Sequence, residues 1–522
     1  MTARRWQFPD PAPGFPLKIG VVDMGSNAMR LIVAEFIAPS TWTPLVSERL
    51  PVRLAGTASL AGDLPEESIE AAVGVMERFR DIFVDNDVAH YRAVATSAVR
   101  ESANQRELVR RVHQRTGLRL EVISGAEEAR LVYWAARSRL PFRERSWIMA
   151  DLGGGSLEIA LIRQDSLRLI ESFGIGTVRL LEEFRSRSDG RARIRRLLDE
   201  YVAGLRFGTL EDDFEVEAYV ATGGNIDELA RISKATPNEQ GVSILPLGSL
   251  KKTIEVLDDM TLEERIEQMG LAENRADVIV PAGLVYARLA ERFGMSSIHV
   301  PQVGLKEGVM IDLVEGLTGG RRYSQRHASD VFAGAVALGR RFRFEEAHGI
   351  QVSRLAGRLF DELGELHDLT DDDREILVAA GVLHDVGQRI AYKGHHKHSY
   401  YLISESEIPG LDANEVELAA NVARYHRRAD PSPRHLPFEA LDEEDRERVT
   451  RLSAILRLAD ALDREHMQKV KAVSAAIRDS RVELTLEGDG DLELELWALA
   501  KKKPLFETTF GYQVMAAKKE EA

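Results

Sequence analysis

Two stretches of this chain share one pattern. From Lys18 to Phe36, "KIGVVDMGSNAMRLIVAEF" is apolar, breaks at Gly25-Ser26-Asn27, and is apolar again. From Ser146 to Ile162, "SWIMADLGGGSLEIALI" repeats the shape, with Gly153, Gly154, Gly155 and Ser156 at the break. Each places an aspartate, Asp23 or Asp151, near the end of a strand that reads as buried, and follows it with glycine two residues on. A glycine turn between strands exposes backbone N–H groups with no side chain in the way, a nest suited to phosphate oxygens. An aspartate beside it can hold a divalent metal. One such hairpin alone is most simply a tight turn. A matched pair reads instead as two jaws closing on one phosphoryl group.

The rest of the chain supplies more turns of this kind. Thr222-Gly223-Gly224-Asn225 precedes a helical pattern, so Gly223 and Gly224 can present helix N–H groups to an anion. "VATSAVRES" puts Thr96, Ser97 and Arg100 at a strand end, and a guanidinium fork matches phosphate geometry. Strand and helix patterns alternate from Lys18 to about Leu131 and restart at Ser146. From about residue 325 to 465 the periodicity is helical, and the tail returns to period two, with a hairpin predicted around Gly488-Asp489-Gly490. The expected organisation is a proline-rich leader (1–17), two α/β domains (18–131 and 132–318), a helical domain (323–465) and a small strand-containing domain (466–522).

Composition narrows the function classes. The 522 residues suffice for three or four domains and contain no cysteine, which excludes disulfides, thiolate metal sites and a cysteine nucleophile. The apolar runs are too short to span a bilayer, and the first residues lack the apolar core of a secretory signal. A cytoplasmic protein without a membrane partner is therefore expected. The net charge of −15 gives no global attraction for polyanions, so no nucleic-acid partner is expected and an anionic ligand needs local sites. Arg321, Arg322, Arg326, Arg340, Arg341 and Arg343, with Arg427 and Arg428, are dense enough to suggest a basic track towards the cleft.

Taken together, "DMGSNAMRLIV", "ATSAVRES", "ISGAEEARL", "DLGGGSLEIALI" and "ATGGN" resemble, in order, the exopolyphosphatase / guanosine pentaphosphate phosphohydrolase family, over about residues 18–315. "IPGLD" continues the likeness into the helical domain. The resemblance implies two ribonuclease-H-like domains of the actin, heat-shock chaperone and sugar-kinase superfold around a cleft. It implies Glu128 of "GAEEAR" as general base and Asp23, Asp151 and Glu158 as organisers of Mg²⁺. The loops around Gly25, Ser26 and Asn27 and around Gly153, Gly154, Gly155 and Ser156 would hold terminal phosphates, helped by Arg100. The implied substrate is inorganic polyphosphate, with guanosine pentaphosphate or tetraphosphate as the alternative, and a homodimer is expected. Sugar kinases and chaperone ATPases share the superfold, but no acceptor-site motif and no strand-rich peptide-binding domain is apparent.

The helical region carries a second pattern. His348, then His384-Asp385 in apolar "LVAAGVLHDVGQ", then Asp460 in "ILRLADALDR" resemble the metal motif of HD phosphohydrolases. These ligand types suit Mn or Fe as a second divalent metal. His395, His396, His398 and His426 lie in the same region. This keeps open two other readings, a metal-dependent HD nucleotidase whose first domains only bind nucleotide, and a non-catalytic polyphosphate or alarmone sensor.

Overall fold

The computed structural model describes residues 13–54, 62–185, 191–205 and 215–519; residues 1–12 of the expected leader and the side chains of Arg321 and Arg322 lie outside the described residues. The described residues form two compact units, one ending at Ser324 and one starting at Gln325.

The first unit contains two sheets of matching topology. β1 (Leu17–Met24), β2 (Met29–Ala38), β3 (Thr41–Leu50), β4 (His90–Ala95) and β5 (Leu120–Val122) order as β3-β2-β1-β4-β5. β1 pairs antiparallel with β2 and parallel with β4. The second sheet runs through β6 (Trp147–Leu152), β7 (Leu157–Arg163), β8 (Ser166–Phe173), β9 (Ala218–Thr222), β10 (Ser243–Pro246) and β11 (Ser297–Val300), ordered β10-β11-β9-β6-β7-β8. β6 likewise pairs antiparallel with β7 and parallel with β9. Each sheet thus has the ribonuclease-H-like strand order expected for the α/β reading, and the second gains β10 on one edge. The two hairpins noticed in the sequence are β1–β2 and β6–β7. Their first strands are central and buried almost throughout, which is why they read as apolar runs rather than alternating ones.

Two helices fill the space between the sheets. The helix Gly125–Arg137 has every residue from Gly125 to Ala136 buried, and it packs on the helix Leu305–Thr318. The contact is close because residue 308 is glycine: a Cβ there would lie 2.0 Å from the Leu131 carbonyl oxygen. A buried charge network crosses this contact. Arg130 Nε donates to Glu127 at 2.7 Å and its Nη2 to Asp312 at 2.9 Å, while Arg92 Nη1 donates to the other Asp312 oxygen at 2.8 Å. Such a network tolerates burial because each charge is paired and hydrogen-bonded.

The second unit is helical from Arg321–Arg341 through Glu443–Ala461, with a three-stranded sheet after it. β12 (Val470–Arg478) and β13 (Arg481–Gly488) form an antiparallel hairpin, and β14 (Gln513–Lys518) adds parallel to β13. The hairpin predicted around Gly488-Asp489-Gly490 is not there. "DLELELWAL" enters a helix, Glu493–Lys502. The alternation of Leu492, Leu494 and Leu496 is misleading, because Leu494 is exposed and the buried side is Leu492, Glu495 and Leu499. Glu493 and Glu495 at the first turn and Lys501 and Lys502 at the last complement the helix dipole.

Candidate active site

The register of the two central hairpins builds the site. Asp23 faces Arg30 across β1–β2, and Arg30 Nη1 donates to Asp23 Oδ2 at 2.6 Å. Asp151 faces Glu158 across β6–β7 and Thr222 across β6–β9, and the Thr222 hydroxyl donates to Asp151 at 2.7 Å. Ser124 caps the helix Gly125–Arg137, accepting from the Glu127 amide at 3.1 Å. Consecutive helical residues point about 100° apart, since a turn takes 3.6 residues. Glu127 therefore joins the buried arginine network while Glu128 faces the cleft.

The glycine loops meet face to face. A Cβ on Gly154 would lie 3.1 Å from Ser26 Cβ and 3.5 Å from Asn27 Cβ; one on Gly155 would lie 2.4 Å from Ser97 Oγ. Gly223 has φ = 100°, a backbone conformation that favours glycine, and opens the helix that starts at Gly224. Together these loops line a cleft of about 300 Å³ that also contains Glu128, Asp23, Asp151 and Ser156.

The floor is acidic and buried. Glu128, Asp151 and Glu158 each offer an oxygen within 4.8 Å of the others, and all three are buried. Arg100 stands beside them, with Nη1 3.3 Å from Glu128 and Nη2 3.8 Å from Glu158. Burial first, then the neighbouring Glu158, pushes the Glu128 carboxyl well above its ordinary range. Burial likewise raises Glu158 to about 7, against the hydrogen bond of Ser156 and the Arg100 charge. Glu158 accepts from the Ser172 hydroxyl at 3.0 Å through Oε1, but its buried Oε2 finds no well-formed hydrogen bond. An orphaned buried carboxylate oxygen among three acids fits a hard divalent cation such as Mg²⁺.

The walls are basic. Arg30, Arg49, Arg275 and Lys306 line the cleft. Burial, then the nearby Arg275 and Arg30, lowers Arg49 to about 10. Crowded cations of this kind are relieved by an anion between them.

Of the expected site residues, the structure brings together Glu128, Asp151 and Glu158, the loops at Gly25–Asn27 and Gly153–Ser156, and Gly223–Gly224. Asp23 lines the same cleft with its carboxylate engaged by Arg30, and Arg100 contacts Glu128, Glu158 and the Ile123 carbonyl without lining the cleft. Arg30, Arg49, Arg275 and Lys306 went unpredicted: Arg49, Arg275 and Lys306 are single basic residues outside the quoted motifs, and Arg30 lies in "DMGSNAMRLIV" but on the strand after the turn. The expected basic track is not built from Arg340, whose fork is occupied by Glu346.

In the second unit, His348, His384, Asp385 and Asp460 also converge. His348 Nε2 lies 3.2 Å from His384 Nε2, 3.8 Å from Asp460 Oδ1 and 4.0 Å from Asp385 Oδ2.

Comparison with known proteins agrees with both units. The Ppx/GppA phosphatase family matches residues 32–316, and domain III of the same family matches residues 333–506. Exopolyphosphatase 1 of Mycobacterium leprae is 28% identical over 321 residues, covering 60% of this chain and 94% of that protein. The guanosine-5'-triphosphate,3'-diphosphate pyrophosphatase of Vibrio cholerae is 24% identical over 481 residues, covering 90% of this chain and 91% of that protein. The crystal structure of an exopolyphosphatase from Cytophaga hutchinsonii superposes with a TM-score of 0.53 at 27% identity, covering 57% of this chain and 98% of that one. With facing glycine loops over a buried acidic floor, and with more than half its length matched, this chain belongs to the Ppx/GppA phosphatase family.

Proposed function

We propose that the cleft hydrolyses the terminal phosphoanhydride of inorganic polyphosphate, with Glu128 as general base. The observation that carries this reading is the placement of Glu128: buried, raised in pKa, and lining the cleft opposite the glycine loops. The terminal phosphoryl group lies between the loops at Gly25–Asn27 and Gly153–Ser156, its oxygens taken by backbone N–H groups. A water held by Glu128 attacks phosphorus as the bond to the bridging oxygen breaks, and the water's proton passes to the carboxylate. Orthophosphate and a chain one unit shorter result. Asp151 and Glu158 are the residues to hold Mg²⁺, which when bound neutralises charge on the phosphoryl oxygens. Asp23 orients Arg30, and Arg100 keeps Glu128 in place. Arg49, Arg275 and Lys306 attract the remaining phosphates.

A second substrate has its own support. The relative matched along 90% of this chain is the guanosine-5'-triphosphate,3'-diphosphate pyrophosphatase, whereas the exopolyphosphatase matches only 60%. Removal of the 5' terminal phosphate of guanosine pentaphosphate uses the same loops and base. The test is orthophosphate release from long polyphosphate, guanosine pentaphosphate and ATP, with and without Mg²⁺, for the wild type and Glu128→Gln. Release from polyphosphate that needs Mg²⁺ and Glu128 supports the first reading. Release only from the nucleotide replaces it with the second, and release that survives Glu128→Gln rejects the base.

A further inference from the structure

The helical unit carries a positively charged face on a chain whose net charge is −15. From residue 386 to 404 the sequence has no aspartate or glutamate, but it has Arg389, Lys393 and Lys397. From 418 to 429 it again has no acid, but it has Arg424, Arg427 and Arg428. The first stretch runs through an exposed loop, 389–393, into the helix His395–Ser404. The second closes the helix Ala413–Arg424, which packs against it. Short distances join the two. Arg427 Nη1 lies 3.2 Å from His395 Nε2, and the Arg424 guanidinium lies 5.7 Å from the centre of the Tyr400 ring. Burial, then His395, Arg424, Arg427 and Lys397, lowers His396 to about 4. Burial, then Arg424 and Lys397, lowers His435 as well. These side chains therefore share one neighbourhood.

The charges on this face are not neutralised from within. Among the described residues, no carboxylate pairs with Arg389, Lys393, Lys397, Arg424, Arg427 or Arg428. Glu417, on the same helix as Arg424, accepts instead from the Tyr400 hydroxyl at 2.7 Å and the Asn421 amide at 2.9 Å. The helices that start at Asp371, Ala413 and Glu443 all carry acids in their first turn, whereas His395–Ser404 carries none. Cations at a helix N-terminus oppose the dipole, and an anion beside them relieves both. The second property of the face is exposed aromatic surface. Tyr392 is 70% exposed and Tyr401 61% exposed. Lys397 and Tyr401 are four residues apart on one helix, so they project from the same side. Tyr392 adjoins Lys393 in the loop, and its ring centre lies 5.8 Å from that of His395. Each open ring thus has a cation next to it. Inorganic polyphosphate has no group to lay on such a ring, whereas a nucleic-acid strand carries a base for every phosphate. Only unpaired bases can reach a ring in this way.

We propose that this face binds single-stranded nucleic acid, with Lys393, Lys397, Arg424 and Arg427 on phosphates and Tyr392 and Tyr401 stacked on bases. Stacking accepts every base, so the binding is independent of sequence. Arg424 is held in advance, its guanidinium 5.7 Å from the Tyr400 ring centre and 6.0 Å from that of Tyr425, so it loses little freedom when a phosphate arrives. The acidic balance of the whole chain does not oppose this, because at physiological salt charges are screened beyond about 8 Å and the local face decides. This inference does not depend on the reaction in the cleft.

The test titrates the full chain with a fluorescein-labelled oligouridylate of about 15 nucleotides, read by anisotropy over a range of salt. The wild type binds it, and log Kd rises linearly with log salt. Lys393→Gln/Lys397→Gln lowers that slope by about 1.4, at roughly 0.7 for each phosphate contact removed. Tyr392→Ala/Tyr401→Ala weakens binding by about 25-fold or more, at roughly fivefold or more for each stacked base, and leaves the slope unchanged. All four of these side chains are exposed, so their replacement spares the core, and circular dichroism checks that it does. Arg49→Gln/Arg275→Gln/Lys306→Gln, in the cleft, leaves oligonucleotide binding intact. A wild type that does not bind overturns the site. Loss of binding in the cleft variant overturns its location. Binding that falls with the lysines but not with the tyrosines overturns nucleic acid as the ligand class, and the face then meets polyanions by charge alone.

Discussion

Replacing Glu158 by Gln tests the electrostatics of the cleft apart from turnover. Burial raises this carboxyl from 4.5 to about 7. Between those values the folded protein keeps a proton that the unfolded chain has released, so stability falls as pH rises through the interval and levels off above 7. At about 1.4 kcal/mol per pKa unit, the ionised side chain costs on the order of 3 kcal/mol at pH 8. Glutamine keeps the shape and can still accept from Ser172, but it carries no charge to bury. The metal-free Glu158→Gln protein should therefore match the wild type near pH 4 and exceed it by on the order of 3 kcal/mol at pH 8. For a unit of this size that is roughly 5 °C in the first thermal transition. Differential scanning calorimetry in chelator from pH 4 to pH 8 reads this directly. Saturating Mg²⁺ should close the gap by stabilising only the wild type. Parallel Tm–pH curves for the two proteins would refute the argument.

Four further outcomes follow from the same geometry. Glu128→Gln should lower kcat by roughly 10²- to 10⁴-fold while leaving polyphosphate binding nearly intact, as measured by single-turnover phosphate release and a binding titration. The wild-type kcat/KM should rise with pH through the raised pKa of the acidic floor, because the base works ionised; a profile flat from pH 5 to pH 8 would count against Glu128. Arg49→Gln/Arg275→Gln/Lys306→Gln should flatten the dependence of log Kd on log salt for polyphosphate by roughly 0.7 per charge removed, and an unchanged slope would mean that these side chains do not meet phosphates. Gly176→Ala should cost about 2–4 kcal/mol and most activity, because its Cβ would fall 2.0 Å from the Gly154 carbonyl and push the loop; denaturant midpoints and phosphate release check it.

Both hairpins were legible in the sequence because each carries three local signals at once, an apolar central strand, an acid at its end and a glycine turn. Glu128 was legible only through the motif around it. Nothing local distinguishes it from Glu127, and the difference lies in what each helix face meets: Arg130 and Arg92 on one side, the cleft on the other. Asp23 looked equivalent to Asp151 because the strands repeat. The residue opposite differs, Arg30 in one hairpin and Glu158 in the other, so pairing register decides whether the acid facing the cleft is matched by a base or by a second acid. Arg49, Arg275 and Lys306 come from three separate parts of the chain, so only the folded topology brings them to one cleft. The error at Glu493–Lys502 has the opposite origin. A short run with alternating leucines fits both periods, and tertiary packing of Leu492 and Leu499 selects the helix.

The two acidic centres of this chain meet the cost of burying carboxylates in opposite ways. In the cleft, three acids face each other with one arginine between them, and burial drives Glu128 and Glu158 up towards the neutral form. That arrangement is poor for stability: a cation and a polyanion entering together would supply the missing charges and draw the acids back towards their ionised state. In the second unit, histidines surround Asp385 and Lys502 adds its charge at Asp460, so both carboxyls are held well below their ordinary range despite burial. The charges that compensate those acids are already supplied by the chain, so burial leaves them ionised. In the cleft, by contrast, the compensating charge is left to come from outside the chain. This difference predicts that Mg²⁺ in the cleft is weakly held and is lost on desalting, which elemental analysis before and after the column reads directly.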